Sequence, residues 1–113
     1  MRSLVEVSWL EGVIDQPNVK IVDASWYLPA AERDPRAEFT RCRIPGAQFF
    51  DIDAIADQSS QLPHMLPDAS SFARAVAGIG ISSSDTVVVY DSAGMLSAPR
   101  VWWMFKVFGH TNV

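Results

Sequence analysis

The stretch Thr86-Val87-Val88-Val89-Tyr90-Asp91 constrains the fold more than any other part of the chain. Its β-branched and aromatic residues crowd a helix and suit a pleated strand. A strand with one wet face alternates apolar and polar residues, and this one does not. Such a run is covered on both faces, as in a parallel sheet with helices on either side. Two further runs match it. Val19-Lys20-Ile21-Val22-Asp23 is β-branched and ends in an acid, and Ala47-Gln48-Phe49-Phe50-Asp51 follows the turn pair Pro45-Gly46.

Helical patterns lie between and around these strands. Val5 to Ile14 predicts a first helix, with Ser8 as N-cap and Glu11 as its capping-box partner. Ser70 to Ala77 is Ala-rich, aligns Phe72 with Val76 and stops at Gly78. Pro99 opens a last helix, capped by Ser97 or Ala98. Val101, Met104, Phe105 and Phe108 follow at i, i+3, i+4, i+7 spacing, and Gly109 closes it. Strands alternating with helices predict an α/β domain with a mostly parallel sheet. Asp57 to Pro67 reads as a loop, and so does the mixed-charge segment around Arg33, Arg36, Arg41 and Arg43. Only four residues follow Gly109, so the strand due after the last helix is expected to be missing.

Composition narrows the function classes. The chain has 113 residues, 49% of them hydrophobic and 19% charged, which suits one small globular domain. No apolar run reaches the roughly 18 residues of a membrane span. The N-terminus turns acidic at Glu6, which argues against a secretory signal and against an Arg-rich presequence. A net charge of −4 argues against nucleic acid as a partner. Cys42 is the single cysteine, so no internal disulfide can form and the cytoplasm is the expected compartment.

In parallel α/β sheets ligands bind beyond the carboxyl ends of the strands. The loop Asp91-Ser92-Ala93-Gly94-Met95-Leu96-Ser97 lies there, and its small residues could wrap backbone N–H groups around an anion. A cysteine at position 91 could carry sulfur as a thiolate; an aspartate cannot, and it would repel an incoming anion. Asp91 reads as a strand-end turn former or cap, or as a catalytic group. Cys42 has Arg41 and Arg43 beside it but no acid–base partner nearby, so an ordinary loop thiol is its simpler reading. Gly78-Ile79-Gly80 is a helix stop and not a dinucleotide fingerprint, because Ser83 takes the third glycine position. Asp23 and Asp91 together raise a distant alternative, a Mg²⁺ site for phosphoryl chemistry.

The stretch Phe39-Thr40-Arg41-Cys42-Arg43-Ile44-Pro45-Gly46-Ala47 resembles the first rhodanese signature, an aromatic followed at a distance by His-Ile-Pro-Gly-Ala. Arg43 stands where that signature has its histidine. Val22-Asp23-Ala24-Ser25-Trp26-Tyr27-Leu28-Pro29, Phe50-Asp51-Ile52-Asp53, His64-Met65-Leu66-Pro67 and Ser97-Ala98-Pro99-Arg100-Val101-Trp102-Trp103-Met104-Phe105 are similar to the same family. Together they resemble the N-terminal half of the two-domain thiosulfate and 3-mercaptopyruvate sulfurtransferases. The resemblance implies a three-layer rhodanese-like domain over residues 1–113 that lacks its last strand. It implies that Asp91 stands at the position of the catalytic cysteine of active copies, and that the persulfide-forming cysteine belongs to an absent C-terminal domain. It implies no metal and no nucleotide cofactor, and a small sulfur donor as substrate of the complete enzyme.

The resemblance also places Asp53 and His64 at the interdomain cleft, where an imidazole could shuttle a proton and a carboxylate orient it. The alternatives are that Asp53 caps a short turn and that His64 packs against the loop prolines. Trp102, Trp103, Phe105 and Phe108 read as core and interdomain contact. A stand-alone, inactive rhodanese-like module for binding or regulation is the competing function. An open sheet edge and an exposed apolar face predict a marginally stable, aggregation-prone chain.

Overall fold

A computed structural model describes residues 2–113. Three strands, β1 (Val19–Asp23), β2 (Gln48–Phe49) and β3 (Thr86–Tyr90), form a parallel sheet in the order β2-β1-β3. Val22 lies opposite Gln48 and Asp23 opposite Phe49, while β1 meets β3 along its whole length, from Val19–Thr86 to Asp23–Tyr90. Four helices cover it: α1 (Val7–Val13), α2 (Pro35–Arg41), α3 (Ala69–Gly78) and α4 (Ala98–Val107).

The unbroken strands do what their sequence predicts. Successive side chains point to opposite faces, and both faces are buried. Val22 and Val87 join Phe50, Phe72, Val76, Val101, Met104 and Phe105 beneath α3 and α4. Ile21 and Val88 join Leu10 and Ala47 on the other face, with Phe39 and Ile44 packed alongside. The centre of the larger core is aromatic: the Phe72 ring meets Phe105 edge-on at 5.2 Å and stacks on Phe108 at 4.6 Å.

Helix boundaries depart from expectation at their N-termini. Ser8 does not cap α1; it lies inside the helix, and Glu6 precedes it as an extended N-cap with no side-chain bond. Asp68 caps α3, which begins one residue before the predicted Ser70, its Oδ1 accepting from the Ser71 N–H at 2.7 Å. The segment read as a mixed-charge loop contains α2, capped by Asp34 and opened by Pro35. Its charges pair internally, because Arg33 forms a two-pronged contact with Glu38 at 2.7 and 2.9 Å. At the end of α4 Gly109 adopts φ 86°, and His110 N–H bonds back to the Phe105 carbonyl at 2.9 Å. That is the left-handed turn glycine supplies without a steric penalty.

That turn sends the chain back along β3. Val87 N–H donates to the Asn112 carbonyl at 2.9 Å, Asn112 Nδ2 donates to Thr86 Oγ1 at 2.6 Å, and Val113 is buried. No fourth strand is formed among the described residues, yet the first rung on the free edge of β3 is already in place.

Candidate functional site

The carboxyl ends of all three strands converge on one rim, and the loops there hold two arrangements of polar groups. The first surrounds Asp91. Its Oδ1 accepts from the backbone N–H of Ala93 (2.9 Å) and Met95 (3.0 Å), and its Oδ2 from Ser97 (2.9 Å) and Ala98 (2.7 Å). Gly94 and Met95 adopt left-handed backbone, which turns these donors inward. Burial pushes the Asp91 carboxyl up, but the four N–H groups outweigh it and hold the group below the ordinary carboxylate range. The loop is therefore the expected anion cradle, with its anion built into the chain.

The second arrangement joins Asp53 and His64. His64 Nε2 lies 2.6 Å from Asp53 Oδ1. The sequence neighbour Asp51 does the capping instead, its Oδ1 accepting from the N–H groups of Asp53 (3.1 Å) and Ala54 (3.2 Å). That leaves the Asp53 carboxylate, 69% exposed, free to face the imidazole. The His64 ring meets Trp26 edge-on at 4.9 Å. The His64 backbone is left-handed at φ 59°. Histidine enters that region more readily than most residues, but still at a cost of roughly 1 kcal/mol.

Two contacts from α4 brace this pair. Trp26 N–H donates to Ser97 Oγ at 3.1 Å. Arg100 Nη2 donates to the His64 carbonyl. Arg100 Nε is buried without a partner, and the guanidinium lies 5.3 Å from the centre of the Trp103 ring. Burial pulls the Arg100 guanidinium down from its ordinary value. Sequence reasoning assigned Arg100 no role. Its position in the first turn after Pro99, with a tryptophan three residues on, was the available signal.

The remaining candidates fall elsewhere. Cys42 is exposed at the C-terminal end of α2. Arg43, in place of the signature histidine, donates to the Phe39 and Thr40 carbonyls at 3.2 and 3.4 Å and lies over the Phe39 ring, so it caps α2. Asp23 accepts from the Ser25 N–H at 2.9 Å, and both oxygens of Asp91 are engaged by backbone donors. Among the described residues no three acidic, histidine or cysteine side chains converge on a metal position. Of the four aromatic residues of α4 and its C-cap, Phe105 is fully buried and the C-cap Phe108 packs on Phe72, while Trp103 is 44% exposed. A groove of about 460 Å³ runs between Leu4, Val5, the free edge of β3 and Trp102 and reaches Asp91, Gly94 and Met95 of the cradle, while Asp53 and His64 do not line it. No helix is long and apolar enough to cross a membrane among the described residues.

Comparison with known proteins identifies the family. The rhodanese-like domain profile matches residues 6–113. Thiosulfate/3-mercaptopyruvate sulfurtransferase 1, mitochondrial, of Arabidopsis thaliana is 50% identical over 110 residues, covering 97% of this chain and 29% of that protein. The 3-mercaptopyruvate sulfurtransferase of Rattus norvegicus is 48% identical over 118 residues, covering 99% of this chain and 40% of that one. The chain thus spans well under half the length of these relatives. Among solved structures, the SseA 3-mercaptopyruvate sulfurtransferase of Escherichia coli superposes with a TM-score of 0.86 at 41% identity, over 94% of this chain and 41% of that one. The α/β layers, the parallel sheet and the profile match agree, and the chain belongs to the rhodanese family.

Proposed function

We propose that this chain is the non-catalytic N-terminal rhodanese domain of a thiosulfate/3-mercaptopyruvate sulfurtransferase. In the complete enzyme a cysteine of a second, C-terminal rhodanese domain would attack the sulfane sulfur of the donor. The cysteine persulfide forms as sulfite or pyruvate leaves, and the sulfur then passes to cyanide or a thiol. This domain supplies the Asp53–His64 pair to the cleft between the domains, where the imidazole gives or takes a proton while Asp53 orients it. The observation that carries the reading is the Asp91 cradle. Position 91 holds a carboxylate already satisfied by four backbone donors, and a carboxylate cannot form a persulfide. Cys42 is an exposed thiol at the far end of α2, with no imidazole bonded to it, and a reducing, cytoplasmic setting suits it.

The test is sulfur transfer by the chain itself. With thiosulfate and cyanide, or with 3-mercaptopyruvate and a thiol, the expected turnover is none above background. Robust turnover that survives Cys42→Ser overturns the assignment. Reading the DNA past codon 113 discriminates further. An in-frame continuation encoding a second rhodanese domain supports it, and an immediate stop favours a stand-alone binding module instead.

A further inference from the structure

We propose that Arg100 is a positioning residue, which holds the His64 imidazole against Asp53 from the first turn of α4. Its consequence for turnover rests on the reading of Asp53 and His64 as the proton-handling pair; its consequence for geometry does not.

The His64 ring has two neighbours that define its place, the Asp53 carboxylate at Nε2 and the Trp26 ring, nearly perpendicular to it at 4.9 Å. Asp53 is exposed and sits in a turn, so it cannot by itself fix the imidazole. The backbone of His64 is in a left-handed conformation, which a side chain abandons unless neighbouring contacts retain it. Arg100 supplies that contact through the His64 carbonyl. One turn of helix therefore grips both loops behind the imidazole: Ser97 holds the Trp26 backbone and Arg100 holds the His64 backbone. That turn is itself anchored, because the N–H groups of Ser97 and Ala98 donate to Asp91. The path runs Asp91, α4, Arg100, His64.

Arg100 gains little of its own from this placement. Its Nε is buried with no acceptor, and no carboxylate pairs with its guanidinium among the described residues. A half-buried guanidinium whose Nε is buried without an acceptor is a poor arrangement for stability alone. It is a sound one for fixing a carbonyl, because the planar fork lies against Trp103 and has few ways to move.

The experiment is NMR on the labelled chain. The His64 and Trp26 ring protons should show cross-relaxation in the wild type. In Arg100→Met, which keeps the stem and removes every donor, that contact is lost while the amide resonances of β1 and β3 stay in place. Arg100→Lys, which keeps a charged donor, restores it. If Arg100→Met does not fold, Arg100→Gln takes its place, with a shorter donor that cannot reach as the guanidinium does. Ring contacts that persist in the Met or Gln variant overturn the proposal. In the complete gene product, Arg100→Met should lower kcat for 3-mercaptopyruvate about tenfold with KM unchanged and cause no further loss on top of His64→Ala, while Arg100→Lys should restore kcat. Loss of the ring contact with unchanged kcat leaves the positioning role standing and overturns the reading of the pair instead.

Discussion

Replacing Asp91 by asparagine tests whether the cradle is held by its own carboxylate. The amide can keep one oxygen for Ala93 and Met95, but its NH₂ then faces the N–H groups of Ser97 and Ala98, donor against donor. Two charge-assisted bonds are lost, each worth roughly 1.5–3 kcal/mol, and partial access of water to the rim softens the loss. About 3 kcal/mol is the expected destabilisation, a large share of the roughly 5–15 kcal/mol that holds a domain of this size. It corresponds to a fall in melting temperature of about 12 °C. The sign of the pH dependence follows from the lowered carboxyl. Its stabilisation is complete above the ordinary aspartate range and fades as pH falls through the depressed folded-state value. Urea unfolding followed by tryptophan fluorescence at pH 7 and at successively lower pH measures both. The gap between wild type and Asp91→Asn should be widest at neutral pH and should close in acid. A gap under about 0.5 kcal/mol at pH 7, or one that acid leaves unchanged, refutes the reasoning. Asp91→Ala adds a check, since an emptied cradle should gain more stability from added sulfate than the wild type does.

Three further outcomes follow from the packing and the charges. The Arg33 hydrogen bonds first, and the Tyr27 hydroxyl second, lower the Glu38 carboxyl to about 2. Its contribution to stability is therefore present above the ordinary glutamate range and lost as pH falls through about 2, and a carbon-detected carboxyl titration should show that midpoint. Phe105→Ala empties the centre of the aromatic core and should cost about 3–5 kcal/mol in chemical denaturation; a loss below about 1 kcal/mol would contradict the observed burial. Cys42→Ser should leave the melting curve unchanged, and the wild-type thiol should react with an aromatic disulfide in the native state as fast as in urea.

The sheet was legible because its strands carry their burial in their composition. Val87 to Val89 and Ile21-Val22 are apolar on consecutive positions, which leaves a two-sided core as the only outcome. The α2 helix was not, since it lacks a fully buried residue and so shows no apolar stripe. Its evidence was local, an aspartate before a proline and a carboxylate at the fourth helical position, and charge density hid it. Ser8 misled for a related reason: a capping-box spacing names an N-cap only where the chain enters the helix, and here it does so two residues earlier, at Glu6. At the site, residue identity pointed to Asp53, His64 and Asp91. What the sequence could not show was the division of labour between Asp51 and Asp53, which depends on which carboxylate faces its own turn. Nor could it show Arg100 reaching a carbonyl far away in sequence, since that contact exists only once α4 has docked on the sheet.

The strand order also bears on how the molecule assembles. The central strand is made early in the chain, and its full-length neighbour comes from the far end, so the longest ladder closes only after a long loop is drawn in. Pairing of β1 with β3 beneath α4 is then the expected nucleus, and substitutions at Val22 or Val87 should slow folding. β2 meets β1 at only two positions, and the irregular segment from Asp51 to Pro67 that follows it hangs from that short contact. Amides of that segment should exchange with solvent through local openings, well before those of β1 and β3. The loop that carries Asp53 and His64 is thus the last part of the domain to lock and the first to release.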